Sequence, residues 1–178
     1  MNKTIKINNM SLREATSALH SKAERMEFNQ RMFKGELSPL EYGKYLTQQL
    51  NIFSEIECRD VLPHENLKRS EAIKQDINEL ELNELKPLES TRQYALYLMN
   101  ISDEELKAHI YLNYLALAYG GQMMKTKVPG SGKMYDFENM MECVGSIRAI
   151  QNDEMADEVN KGFQYIINIL DELQTNVG

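Results

Sequence analysis

A histidine and a glutamate lie one helical turn apart near the start of the chain. His20 and Glu24 belong to LREATSALHSKAERMEF, Leu12 to Phe28, which reads as one amphipathic helix. A carboxylate at i+4 can accept a hydrogen bond from one imidazole nitrogen, which leaves the other nitrogen free to bind a metal. Taken alone, the pattern favours a solvated pair on a helix edge. The apolar residues that predict this helix are Leu12, Ala15, Leu19, Ala23 and Met26.

Two adjacent glycines stand inside a second helical pattern. Gly120 and Gly121 lie in AHIYLNYLALAYGGQMM, and each glycine costs a helix interior roughly 1 kcal/mol relative to alanine. Such a pair indicates a kink, the end of the helix, close helix packing, or backbone that passes near something flat. Taken with His20, it suggests a flat metal-bearing cofactor between a histidine and a thinned backbone, and heme is the obvious candidate.

The elements that must position these residues are all helical. Capping boxes at Ser11–Glu14 and Ser102–Glu105 predict the starts of the helices that carry His20 and the glycine pair. We expect one all-α domain over 10–178, with seven or eight helices, preceded by an N-terminal arm at 1–9. The other predicted helices are 39–59, 67–85, 90–99, 136–150 and 153–174, and the glycine- and proline-containing stretch 125–133 is predicted to be a loop.

Charge and composition narrow the function classes. The net charge of −7 disfavours a general nucleic-acid binder. Residues 1–35 nevertheless hold seven Lys or Arg against three Glu, so a basic patch near His20 could dock an acidic partner or simply solvate a helix. Cys58 and Cys143 predict free thiols, since they lack metal-site spacing. Without a run of ~20 apolar residues, we expect a soluble, cytoplasmic protein with no membrane segment.

Several segments together resemble the heme oxygenase family. LREATSALHSKAE is similar to the family's proximal helix, and this likeness implies that His20 is the axial iron ligand and Glu24 its partner. HIYLNYLALAYGGQ is similar to the distal helix, and LKRSEAIKQDINEL also resembles a family helix. GFQYIINILDELQ resembles the last helix and places Phe163 near the heme pocket. The likeness covers most of 10–174, with its segments in the family order.

This resemblance implies a fold and a reaction. Heme would lie between the proximal helix and a kinked distal helix, both as substrate and as cofactor, and its iron would be released. The ring would be opened to biliverdin and carbon monoxide, with electrons from ferredoxin or another reductase, by a monomer or weak dimer. By position, Arg13 would pair with a heme propionate and Tyr111 would hydrogen-bond one. Gly120 and Gly121 would give oxygen room.

The chain departs from the family pattern on the distal side. Where the family has a glycine and an aspartate before the Gly-Gly pair, this chain has Ala116 and Leu117. The aspartate orders the water that delivers protons, and leucine cannot hold such water. A replacement network could be organised by Asn113, Tyr114 or Tyr119. Of these, Tyr114 joins Leu117 and the two glycines as the predicted catalytic positions.

A second departure concerns charge. The helix that supplies basic propionate partners in the family reads YDFENMMECVGSIR here, with Glu138 and Glu142 near the expected basic positions. Lys133 or Arg148 could compensate. Each charge-assisted contact to a carboxylate contributes roughly 1.5–3 kcal/mol, so the position of these cations affects heme binding directly.

Two alternatives remain beside ring opening. The first is a family member that binds heme or a bilin without opening the ring, as a carrier, a sensor or a weak peroxidase, and Leu117 motivates it. The second is a di-iron oxidase on the same fold, which needs several carboxylates and at least two histidines converging from core helices. The chain has only His20, His64 and His109, which makes this the weaker alternative.

Overall fold

The computed structural model describes residues 10–175, and over this range the architecture is helical. The all-α prediction is confirmed, and eight α-helices lie within the described range. The predicted arm at 1–9 lies outside the described residues. The helices are α1 Leu12–Glu24, α2 Glu27–Phe33, α3 Pro39–Glu57, α4 Ser70–Glu79, α5 Glu89–Asn100, α6 Asp103–Lys125, α7 Met140–Ile150 and α8 Ala156–Thr175; short 3-10 turns lie at Glu65–Leu67, Lys133–Tyr135 and Asp153–Met155.

The prediction of a single helix from 12 to 28 is wrong, because the chain bends between α1 and α2. Met26 is extended, with φ −64° and ψ 141°. Two side chains of α2 reach back to the last carbonyls of α1: Asn29 Nδ2 donates to Ala23 O at 3.0 Å, and Gln30 Nε2 donates to Glu24 O at 2.6 Å. These bonds satisfy acceptors that a continuing helix would have used, and so stabilise the bend.

Two further helices are shorter than predicted, because each predicted range contains a residue with a positive φ. Glu81 has φ 56° and Asn139 has φ 55°, in the left-handed region that a right-handed helix cannot include. The first therefore lies beyond the early end of α4, at Glu79 rather than 85. The second lies immediately before α7, which begins at Met140 rather than 136.

Both predicted capping boxes are present. Ser11 Oγ accepts from the backbone N–H of Glu14 at 3.2 Å, and the Glu14 carboxylate accepts from the Ser11 N–H at 3.1 Å. Ser102 and Glu105 make the same pair of bonds at 3.1 and 3.0 Å. The Leu12 N–H donates to Asp153 at 2.9 Å, just before α8. The start of α1 is thereby fixed against the last helix.

Helix α8 joins the two helices that carry the candidate chemistry. It packs against both α1 and α6, and also against α5. Its buried apolar residues are Val159, Ile167, Ile169, Leu170 and Leu173. Burying a side chain of this size stabilises the fold by roughly 1.5–3 kcal/mol. Because α8 contacts both α1 and α6, it fixes their positions on either side of the space between them.

An ion pair between α2 and α3 makes the fold sensitive to acid. Both Arg31 Nη atoms donate to the Glu41 carboxylate, at 2.6 and 2.9 Å. The bond from Arg31, against the opposing effect of burial, lowers the pKa of Glu41 from its ordinary 4.5 to about 2. The folded state thus keeps Glu41 ionised at a pH where the unfolded chain takes up a proton. Its stabilisation is present above pH 4.5 and is lost as pH falls towards 2.

We therefore expect Glu41→Gln to lower the free energy of unfolding by about 1–3 kcal/mol at pH 7. The difference from the wild type should shrink steadily as pH falls below 4.5. Urea unfolding at a series of pH values measures both effects. Glu89→Gln is the control, because the Arg92–Glu89 pair is 56% and 65% exposed and should contribute little. A difference independent of pH would contradict the prediction.

Candidate functional site

A cavity of about 910 Å³ opens between α1, α6 and α8. Its volume falls within the roughly 300–1,000 Å³ typical of sites for small molecules and cofactors. Residues of α2, α3 and α7 also line the cavity, as does Tyr135. The structure thus brings most of the predicted site residues to one cavity: Arg13, His20, Glu24, Tyr111, Leu117, Gly120 and Phe163.

On the α1 side, the His20 ring is held by two neighbours. Its Nε2 lies 3.0 Å from Glu24 Oε1, as the helical spacing predicted. The ring of Phe163, on α8, stacks on it with centroids 5.6 Å apart and planes 23° apart. Within 10–175, the Nδ1 atom of His20 has no hydrogen-bond partner. The imidazole is therefore oriented through one nitrogen and retains the other as a potential ligand.

The two glycines of α6 have different environments. The helix continues through both of them to Lys125, so the alternative in which it ends at Gly120 is wrong. A Cβ at Gly120 would meet no atom within 4 Å, whereas a Cβ at Gly121 would lie 3.1 Å from the ring of Tyr135. Gly121 thus serves close packing, and Gly120 opens onto the cavity.

The wall that α6 presents to the cavity is mainly apolar. Ala116, Leu117 and Gly120 line it, and Leu117 is only 7% exposed. Asn113, also 7% exposed, lies one turn before Leu117 and lines the same wall. An amide side chain therefore lies one helical turn from the Leu117 position on the same wall.

Tyr114 is not brought to the cavity. It is fully buried on another side of α6, where its hydroxyl donates to Glu57 at 3.1 Å and its ring meets that of Phe53 edge-on at 4.8 Å. Burial, with Glu57 beside it, raises the pKa of this hydroxyl well above its usual value. In this position Tyr114 connects α6 to α3, and its surroundings are those of a core residue.

Two arginines bring positive charge to the cavity. Arg13 lines it from α1, and Arg148 lines it from α7. Arg148 Nη2 donates to the Tyr119 hydroxyl at 3.1 Å, and its guanidinium lies 5.5 Å from that ring. Lys133, the other cation considered from the sequence, does not line the cavity. Arg148 is therefore the cation that is placed to offset the acidic character of its helix.

The candidate metal ligands of the described residues do not gather into a second site. Within residues 10–175, no three His, Cys, Asp or Glu side chains come together in a way that could hold a metal ion. The di-iron alternative therefore has no ligand set in that part of the chain. Cys58 is exposed and Cys143 is buried, and both are free thiols as predicted. Across the described range, no helix is long and apolar enough to cross a membrane.

Comparison with known families decides the assignment. The family model for heme oxygenase matches residues 8–172. The chain belongs to the heme oxygenase family. It is 27% identical to the heme oxygenase of Porphyra purpurea over 154 residues, which cover 72% of this chain and 65% of that one. It is 31% identical to the heme oxygenase of Guillardia theta over 133 residues, covering 65% and 56%. The chain thus spans less than two thirds of these relatives.

Solved heme oxygenases share the fold. Heme oxygenase-1 of Synechocystis in complex with heme superposes with a TM-score of 0.82 at 22% identity, over 93% of this chain and 91% of that one. Heme oxygenase from Leptospira interrogans gives 0.80 at 22%, over 90% and 97%. Heme oxygenase-2 of Synechocystis, with heme and NO, gives 0.81 at 20%, over 92% and 84%. The family fold is therefore confirmed.

Sequence reasoning missed a buried polar group behind the wall that α6 presents to the cavity. His109 is fully buried and bonds Tyr94 and Glu158 through its two ring nitrogens, at 2.7 and 3.0 Å. In the sequence it was only one of three histidines. One signal was available, since His109 precedes Asn113 by four residues and so shares its helix face. Its partners come from α5 and α8, which no local pattern connects to it.

Proposed function

We propose that this protein is a heme oxygenase that binds heme between α1 and α6 and opens its ring to biliverdin, carbon monoxide and ferrous iron. One observation carries the proposal. A single cavity has an oriented histidine, His20, on one wall and the open backbone of Gly120 on another. A flat group with an axial ligand on one face and space on the other suits that arrangement.

The residues around His20 fit an axial ligand. Glu24 holds Nε2 of the ring, Phe163 sets its plane, and Nδ1 remains available to coordinate iron. A carboxylate partner of this kind also raises the basicity of the ligand. When bound, heme supplies both the iron that activates oxygen and the ring that is opened.

Three side chains are suited to the propionates of heme. Arg13 and Arg148 can each donate charge-assisted hydrogen bonds to a carboxylate, and Tyr111 offers a hydroxyl from α6. Each contact between a cation and a carboxylate contributes roughly 1.5–3 kcal/mol. The two arginines come from different helices, so together they would fix the rotation of heme in the cavity.

The distal wall, which is the wall that α6 presents to the cavity, would exclude bulk water at positions 116, 117 and 120. Leu117 and Ala116 present carbon atoms, and Gly120 presents backbone with open space above it. This wall leaves room for a small molecule such as oxygen. It has no carboxylate at position 117, where the family pattern has one. Proton delivery therefore has to use a group other than the side chain at 117.

Electrons would come from ferredoxin or another reductase. Lys22 and Arg25 are both exposed near the end of α1, the helix that brings Arg13 and His20 to the cavity, and they add positive charge to that helix. An acidic donor would be attracted to this surface, and salt would weaken the association because exposed charges are screened.

The test is to reconstitute the purified protein with hemin, supply NADPH and a reductase with catalase present, and follow the products. We expect the Soret band to decay while biliverdin appears by chromatography and carbon monoxide is released. Catalase removes free peroxide, which could bleach heme without enzyme action. A stable Soret band without any bilin would refute ring opening.

The alternative function is binding of heme or a bilin without ring opening, and Leu117 is the observation that favours it. Substituting Leu117→Asp separates the two functions. If the wild type only binds, the aspartate should make bilin formation appear. If the wild type already opens the ring by another proton route, the rate of bilin formation should change little.

Substitutions at the two glycines should have opposite effects on stability. Gly120→Ala should raise the free energy of unfolding without heme by about 0.5–1 kcal/mol, because its Cβ meets open space. The same methyl points into the cavity and should weaken heme binding. Gly121→Ala presses on Tyr135 and should destabilise the fold by about 1–3 kcal/mol. Urea unfolding and hemin titration measure these effects, and unchanged heme affinity in Gly120→Ala would place heme away from this residue.

A further inference from the structure

A hydrogen-bonded network of four side chains, contributed by α8, α6 and α5, ends at the cavity. Nε2 of His109 lies 3.0 Å from Oε1 of Glu158, and its Nδ1 lies 2.7 Å from the hydroxyl of Tyr94. Nδ2 of Asn113 donates to that hydroxyl at 3.1 Å and to the backbone carbonyl of His109 at 2.9 Å. Because Asn113 lines the cavity, the network ends on the cavity wall.

Every donor in this hydrogen-bonded network points away from the cavity. A backbone carbonyl only accepts, so the bond to the carbonyl of His109 identifies the amide nitrogen of Asn113. Since that nitrogen also donates to Tyr94, the single Tyr94 proton is left for Nδ1 of His109. The ring then carries its proton on Nε2 and donates it to Glu158. Burial lowers the pKa of His109, against the opposing effect of Glu158, which agrees with a neutral ring.

Helix α8 packs tightly against this hydrogen-bonded network. A Cβ at Gly162 would lie 3.0 Å from Nδ1 of His109 and 2.5 Å from a methyl carbon of Leu112, so only a glycine allows this approach. The ring of Tyr165, also on α8, stacks on that of Tyr94 with centroids 4.9 Å apart. In such a buried place an unpaired polar group is costly, which keeps the hydrogen bonds in one arrangement.

The orientation of Asn113 has a consequence for the cavity. Its Nδ2 has two acceptors, so Oδ1 is the polar atom that it offers to the cavity. Asn113 precedes Leu117 by four residues and lies one turn earlier on the same helix face. The wall that lacks a carboxylate at 117 therefore carries an amide oxygen with a fixed orientation.

We propose that Asn113 is the hydrogen-bond acceptor of the distal wall, and that its Oδ1 holds a water molecule beside bound heme. Asn113 touches this water, whereas Tyr94, His109 and Glu158 are positioning residues that keep the amide nitrogen turned away. No proton passes through the amide, whose part is to orient the water. The inference rests on the proposed function, because it requires heme in this cavity.

A first test uses the protein without heme. Nitrogen-15 NMR should show the Nε2–H tautomer of His109. In Tyr94→Phe, the side-chain amide protons of Asn113 should exchange with solvent at least about tenfold faster, because one acceptor is lost. Tyr165→Phe is the matched control, since it removes a hydroxyl from the same pair of stacked rings but takes no member from the hydrogen-bonded network. An Nδ1–H tautomer in the wild type, or unchanged exchange in Tyr94→Phe, would overturn the inference whether or not heme binds.

A second test titrates the ferric-heme complex with base and follows the visible absorbance change as the water at the iron ionises. Water donates more strongly than hydroxide, so an acceptor on the wall keeps it protonated to higher pH. Asn113→Leu should lower the midpoint by about half to one pH unit, and Tyr94→Phe by less, with no shift in Tyr165→Phe. An unchanged midpoint in heme-loaded Asn113→Leu overturns the inference alone. If the wild type takes up no heme, both the proposed function and this inference are wrong.

Discussion

Replacing His20 by alanine should weaken heme binding by more than about 100-fold and shift the Soret band of any heme that remains. Loss of an outer partner of a metal ligand typically costs 10–100-fold in affinity, and loss of the ligand itself should cost more. The fold should be little affected, because the His20 side chain is 58% exposed and its ion pair with Glu24 lies at the surface. Absorbance titration with hemin measures the affinity, and urea unfolding measures the stability.

Two further variants sharpen this prediction. Glu24→Gln removes the charge that orients His20 and should weaken heme binding by about 10–100-fold while the Soret position is retained. His64→Ala is the matched control, because this histidine pairs with Glu142 at 3.5 Å and does not line the cavity. It should bind heme like the wild type. Identical Soret spectra for wild type and His20→Ala would mean that another residue is the ligand, and the proposed binding geometry would be wrong.

Features that depend on spacing within one helix were predictable from the sequence. His20 and Glu24 pair as expected because positions i and i+4 of a helix are neighbours in any fold. The capping box at Ser11 is local in the same way and marks the true start of α1. The bend after α1 was not predictable, since it depends on side chains of α2, Asn29 and Gln30, that cap α1 only once the chain has turned.

The distal wall shows where local reasoning fails. Helix α6 has buried residues on all its sides, so its apolar pattern does not tell which side faces the cavity. For that reason Tyr114 and Asn113, adjacent in sequence, could not be assigned to core and cavity beforehand. The structure turns Asn113 to the cavity and Tyr114 to Glu57. The bonds of His109 could not be predicted either, because Tyr94 and Glu158 belong to separate helices.

A buried arginine determines the position of the segment that supports Gly121. Arg69 is 5% exposed, and its guanidinium donates to five backbone carbonyls and stacks 3.8 Å from the centroid of Phe137. Two of these carbonyls belong to residues on either side of Tyr135, the residue that packs on Gly121 and lines the cavity. The five carbonyls belong to Asn66, Leu67, Lys68, Met134 and Asp136.

We expect Arg69→Met to lower the free energy of unfolding by about 3–5 kcal/mol, the cost of leaving buried polar partners unpaired. For a chain of this size the melting temperature should fall by roughly 6–20 °C. Arg69→Lys should not restore stability, because an ammonium group cannot reproduce the planar fork of donors. Arg92→Met, at a side chain 56% exposed, is the control and should change stability by less than about 0.5 kcal/mol.

The same variant tests whether this support reaches the cavity. Once Arg69 no longer holds the carbonyls beside Tyr135, that ring is free to move from Gly121. We therefore expect Arg69→Met to weaken heme binding at temperatures where the protein remains folded, although Arg69 does not line the cavity. Hemin titration well below the melting temperature measures this effect. A destabilised variant with wild-type heme affinity would show that Arg69 stabilises the fold without positioning the distal wall.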